Sequence, residues 1–141
     1  MPSIQEIQHG IVEDFTFLPQ WDERYAYLIE IGQKMDPLPD TEKTEDKIVR
    51  GCQSTVWLQR ECRDGQVYLK ADSDSLIVKG LAALLTRILS GQTAEDVLTA
   101  ELTFFEKTGL DKHLSSQRAN GLMAMIEQIK AFAAQCAAGE V

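Results

Sequence analysis

The order of patterned segments predicts an α+β domain, a small antiparallel β-sheet packed against several helices. Three observations predict it. One strong hairpin signal, Asp64-Gly65 between two strand-like runs, sits near the middle of the chain. Segments with apolar residues at helical spacing lie on both sides of it. Strands and helices do not alternate along the chain, as a parallel α/β sheet would require. At 141 residues the chain can bury a real core, and it reads as one domain over 1–141.

The elements follow in order. Ser3 and Glu6 form a capping box, and Ile4, Ile7, Ile11 and Phe15 then recur at helical spacing. Pro19 breaks the chain. Trp21, Tyr25, Leu28, Gly32 and Met35 form the stripe of a second helix, with Asp22 and Glu23 suited to its dipole. Pro37 and Pro39 stop it. From Asp36 to Lys47 the chain reads as a solvated connector rather than a core element.

If Asp64 and Gly65 are the turn, Cys62 faces Val67, Arg60 faces Leu69 and Leu58 faces Ala71. Val56, Leu58, Cys62, Val67 and Leu69 then share an apolar face. Trp57 and Tyr68 share the other, where packing against flanking helices is expected. Asp72 to Ser75 ends the hairpin and caps a helix bearing Leu76, Ile77, Leu81, Leu84, Leu85, Ile88 and Leu89. Gly91 ends that helix, and Thr93 with Asp96 caps a short one. Glu101 to Lys107 gives another, stopped by Gly109. A long final helix starts at Ser116 and carries Leu122, Ile126, Ile129, Phe132, Ala133 and Cys136 on its apolar side.

Apolar residues make up 44% of the chain and charged ones 26%, as in a globular protein. A net charge of −8 repels phosphate backbones and anionic membranes, so neither nucleic acid nor a membrane surface is expected as a partner. No secretory signal opens the chain, and no stretch approaches a membrane span. Three cysteines without a signal peptide read as free thiols in a reducing cytoplasm.

Chemistry converges on Cys52. It lies in Ile48-Val49-Arg50-Gly51-Cys52-Gln53-Ser54-Thr55, after the connector and before a strand, where a thiol can be reached. Cys62 and Cys136 fall on apolar faces and read as packing residues. No Cys-x-x-Cys occurs, and His9 and His113 have no ligand partner at metal spacing, so no metal site is expected. Cys52 with His113 as base would make a hydrolase, but no oxyanion site or cleft is visible. No glycine-rich phosphate loop follows a strand. What remains is thiol chemistry without cofactor machinery. A loop thiol with access and mobility can take sulfur from another protein as a persulfide. Gly51 supplies mobility, and Arg50 could favour the thiolate. A buried, inert cysteine at a strand start is the alternative that pattern leaves open.

The segment Arg50-Gly51-Cys52-Gln53-Ser54-Thr55-Val56-Trp57-Leu58 resembles the active-cysteine segment of the SufE family of sulfur-acceptor proteins. Other blocks agree in order: Trp21 to Tyr25, Ala71 to Asp74 with Ile77 to Leu81, Thr108 to Leu110, His113 to Ser115, and Arg118 to Leu122. The resemblance runs from about Phe15 to about Phe132.

It implies an α+β fold similar to that of the scaffold protein IscU. It also implies a partnership with a SufS-like cysteine desulfurase, which carries the pyridoxal phosphate; none is expected on this chain. Cys52 would take the persulfide sulfur, stimulate the desulfurase, and pass sulfur to a SufBCD-like iron–sulfur scaffold complex. The resemblance maps Arg118 and Asp74 to positions near the cysteine loop or the partner surface. Arg118 could equally be a helix-start cation paired with an acid, and Asp74 a helix-end anion. A non-catalytic scaffold binding an iron–sulfur cluster or zinc is the competing function.

Overall fold

Two adjacent residues in the left-handed region, Asp64 (φ 52°) and Gly65 (φ 75°), turn the chain back on itself. They join strand β1 (Val56–Arg63) to strand β2 (Gln66–Ser73). The computed structural model describes residues 1–141. The two strands form an antiparallel sheet in the register that the turn predicts: Cys62 opposite Val67, Arg60 opposite Leu69, Leu58 opposite Ala71. Val56, Leu58, Val67, Leu69 and Ala71 are buried on the inner face. On the outer face Trp57 and Tyr68 are half-buried, each with a cation over its ring. The Lys43 ammonium lies 5.1 Å from the Trp57 ring and the Arg63 guanidinium 4.1 Å from the Tyr68 ring.

Helix α1 (Ile4–Thr16) starts at the predicted capping box, with Ser3 and Glu6 satisfying each other's backbone amides. Its stripe buries Ile4, Ile11 and Phe15, and also Gln8. Helix α2 (Trp21–Lys34) crosses α3 (Leu76–Leu89), the central core helix, which Ser75 caps by accepting from the Val78 amide. The crossing is close enough to need glycine. A Cβ on Gly32 would meet the Gly80 nitrogen at 2.8 Å, and one on Gly80 would strike the Leu28 carbonyl. Thr93 caps α4 (Ala94–Thr99) as expected. The predicted Glu101–Lys107 helix is the single turn α5 (Phe104–Lys107). Gly109 (φ 81°) starts a further turn, α6 (Leu110–His113), which the sequence reading treats as a connection. Ser115 caps the long α7 (Ser116–Ala137).

Three expectations change. Cys62 and Cys136 are not free packing thiols: they form a disulfide between β1 and α7, with Cα atoms 5.7 Å apart. Their sequence separation of 74 residues carries no pairing signal, and an apolar face suits a half-cystine as well as a thiol. The connector is not fully solvated. Leu38 is buried, and its amide donates to the Asp72 carboxylate at 3.2 Å. Leu76, placed on the core stripe of α3 by spacing, is 55% exposed at the first position of the helix.

Candidate functional site

The cysteine loop is held at both ends and free between. At one end buried Val49 donates its amide to the Val56 carbonyl at 2.8 Å, beside the isolated bridge that pairs Ile48 with Trp57 of β1. At the other end the Thr55 amide donates to Asp74 Oδ1 at 3.0 Å. The Thr55 carbonyl accepts from the Asp74 amide at 3.2 Å and from the Ser73 hydroxyl at 2.9 Å. From Arg50 to Ser54 there is no backbone–backbone hydrogen bond. Gly51 takes a left-handed conformation, φ 90°. Cys52 lies midway, three residues from Val49 and three from Thr55.

The thiol points inward. Cys52 is the one free cysteine and is half-buried, with Sγ 3.6 Å from the Gly121 carbonyl. Gly121 leaves room for it. A Cβ there would lie 3.5 Å from the sulfur, with no space for a longer side chain. Burial alone pushes the Cys52 thiol above its ordinary pKa, so the resting group at neutral pH is the protonated thiol.

The sulfur opens into a polar cavity of about 310 Å³. Its walls include Ser54 of the loop, Ser75 and Val78 at the start of α3, and Arg118 and Gly121 near the start of α7. The N-termini of α3 and α7 and the Arg118 side chain therefore border the cavity into which the thiol opens. A larger groove of about 520 Å³ lies at the other end of α3, beside Tyr27, Met35 and Arg87, and contains no thiol.

The predicted site residues separate. Arg118 shares the cavity with Cys52 and has no acid within ion-pair distance, so the reading of a cation paired with an acid does not describe it. Gly51 shapes the loop. Asp74 lies outside the cavity, just before the Ser75 cap, and its carboxylate fixes Thr55. Arg50 does not turn toward the thiol. It is exposed and faces Glu45 at 3.7 Å, leaving burial as the only influence on Cys52. His113 is also absent from the cavity. It stacks on Trp21 with ring centroids 3.6 Å apart, and its carbonyl accepts from the Tyr25 hydroxyl. No three His, Cys, Asp or Glu side chains lie close enough to hold a metal ion.

Sequence reasoning missed Gly121, the residue on which the thiol rests. The signal was available in its helical phase with Met125 and Ile129, both buried on the same face of α7. It also missed that the caps of α3 and α7, Ser75 and Ser115, both line the cysteine cavity.

The SufE model, described as an Fe–S metabolism associated domain, matches residues 9–133. An uncharacterised SufE-like protein of Rhizobium meliloti (strain 1021) is 41% identical over 128 residues, covering 87% of this chain and 91% of that protein. The solution structure of a hypothetical protein from Thermus thermophilus superposes with a TM-score of 0.75 at 26% identity. The match covers 92% of this chain and 95% of that one, so the two share their fold. No helix here is long and apolar enough to cross a membrane. With a family match over nearly its whole length and a hairpin-and-helix fold shared with a solved relative, the chain belongs to the SufE family, whose domain is associated with iron–sulfur metabolism.

Proposed function

We propose that the protein is a sulfur acceptor that works through Cys52. It receives persulfide sulfur from a cysteine desulfurase and hands it on for iron–sulfur cluster assembly. One observation carries the reading: the sole free thiol sits at the centre of a loop fixed at both ends, over a cavity able to shelter an added sulfur atom. Family membership supplies the link to iron–sulfur metabolism. Pyridoxal phosphate would belong to the desulfurase.

The transfer is a thiol–persulfide exchange. The loop lifts Cys52 from the Gly121 carbonyl, the thiol loses its proton, and the thiolate attacks the outer sulfur of the partner's persulfide. A bond from Cys52 Sγ to that sulfur forms as the partner's own sulfur–sulfur bond breaks. The partner cysteine leaves as thiolate and takes up a proton, so no oxidant or reductant is consumed. On return of the loop, the terminal sulfur faces Arg118 and the two helix N-termini. Shelter has a chemical purpose, since exposed persulfides and low-pKa thiolates are open to oxidation and exchange.

The test is incubation with a cysteine desulfurase and free cysteine without reductant, followed by intact-protein and peptide mass spectrometry. Sulfur should be gained on Cys52 and only in the presence of the desulfurase. Cys52→Ser should fold normally, gain none, and fail to stimulate the desulfurase. Stimulation by that variant, or no gain on the wild type, would overturn the reading.

A further inference from the structure

The disulfide and the resting thiol lie at opposite ends of one seam. The chain runs from Cys52 into β1 and reaches Cys62 near its far end. Helix α7 runs from Gly121, which seats the Cys52 thiol, to Cys136 near its own far end. Both elements run from the thiol end toward the disulfide end. Gly121, Met125, Ile129, Ala133 and Cys136 recur along one buried face of the helix. Between the two ends, the Arg60 guanidinium lies 5.8 Å from the Phe132 ring. The disulfide thus fixes the slide and rotation of the helix that forms the floor under Cys52. Without it, only noncovalent packing sets that register, and packed elements joined by few bonds open locally at low cost.

The bond is also placed for exchange. Cys136 is 5% exposed, whereas Cys62 is only half-buried, next to the last residue of β1 before the turn. Of the two half-cystines Cys62 is the less buried, so attack by a thiolate is expected at Cys62 Sγ, with Cys136 Sγ as the departing group.

We propose that Cys62 and Cys136 form a thiol-exchangeable couple whose state sets how firmly α7 holds Cys52 under its loop. The reductant is a dithiol. Its first thiolate bonds to Cys62 Sγ as the Cys62–Cys136 bond breaks, and Cys136 leaves as thiolate and takes a proton. The second thiol of the reductant then closes on the first, which frees Cys62. The two protein sulfurs gain two electrons and the dithiol becomes a cyclic disulfide. Oxidation by a small disulfide is the reverse.

The test reads the alkylation rate of Cys52 by peptide mass spectrometry with iodoacetamide, on wild-type protein in both states. A desulfurase is not needed, so failure here and failure of the sulfur-acceptor reading are separate results. In the oxidised protein one thiol should react, slowly. After reduction with dithiothreitol and its removal, three should be free and Cys52 should react at least about threefold faster, with the helical circular-dichroism signal kept. Reoxidation with oxidised glutathione should restore the slow rate. The Cys62→Ala/Cys136→Ala variant should match the reduced protein; if it does not fold, the wild type carries the comparison alone. An unchanged Cys52 rate overturns the proposal. So does a rise that comes with loss of helical signal, or a protein that retains three free thiols in oxidised glutathione.

Discussion

The Cys52 thiol and the Gly121 carbonyl are 3.6 Å apart, the contact that seats the sulfur against α7. A thiol is a weak donor, so the contact holds the loop lightly. Room matters more than the bond. A methyl at position 121 would meet the sulfur at ordinary van der Waals distance, while a larger group would take its place. Gly121→Ala is therefore expected to leave the site intact and to stabilise α7 by up to about 1 kcal/mol through helix propensity. Gly121→Leu should evict the thiol and speed its alkylation without unfolding the protein. Urea unfolding and alkylation kinetics on the two variants check both outcomes.

A buried thiol should also react late in a pH titration. Burial raises the Cys52 pKa in the folded state, so the native protein holds that proton more tightly than the unfolded chain. The resulting stability is complete below the unfolded thiol's pKa and is lost as pH rises toward the folded value. The alkylation rate of native protein should reach half-maximum at a higher pH than that of urea-unfolded protein. A native midpoint at or below the unfolded one would contradict this. In Gly121→Leu the two midpoints should converge.

Asp72 ties three parts of the fold together from a buried position. Its carboxylate accepts from the Leu38 and Ser73 amides and meets Lys79 at 3.3 Å and Lys43 at 3.5 Å. Burial pulls its pKa up, but the Ser73 amide, Lys79 and the Leu38 amide outweigh it and leave the carboxyl below its usual value. The stability this gives is present above the unfolded carboxyl's pKa and is lost as pH falls through the folded value. Asp72→Asn should cost about 2–3 kcal/mol at neutral pH, since two partly buried lysines lose their counter-charge. In denaturant titrations the gap between variant and wild type should close below about pH 4.

Gln8 is a polar residue in an apolar stripe, and it caps a helix that is not its own. Its Oε1 accepts from the Thr103 and Phe104 amides at 2.8 and 3.0 Å, while Nε2 donates to the Glu101 carbonyl at 3.0 Å. Gln8→Leu should destabilise the protein by about 2 kcal/mol despite its greater hydrophobicity, because it leaves buried amides at the start of α5 unpaired. A neutral or stabilising result in thermal unfolding would show that water replaces the cap.

Local rules made much of this fold legible. Asp64-Gly65 gave the hairpin register residue by residue, because a two-residue turn with positive φ leaves the strands no other pairing. The Ser3, Thr93 and Asp72–Ser75 signals each marked a real helix start for a similarly local reason. Cys52 stood out by its loop. What local rules missed was long-range. Gln8 reaches residues more than ninety positions away, Leu38 is buried through Asp72, and Cys62 pairs with Cys136 across 74 residues. Arg50 shows the same limit from the other side: adjacency to Cys52 in sequence did not aim its charge at the sulfur.

Fastening the cysteine loop at Val49 and Thr55 also sets a reach. Three residues lead from each anchor to Cys52, and an extended chain advances at most about 3.3–3.6 Å per residue, so the thiol can travel only about 10 Å from its base. A sulfur donor whose own sulfur lies deeper than that tether plus one side chain cannot be served by loop motion alone. It must come forward or give way at its rim. On the sulfur-acceptor reading proposed above, the tether would act as a depth gauge that sorts donors by how far beneath their surface the sulfur is kept.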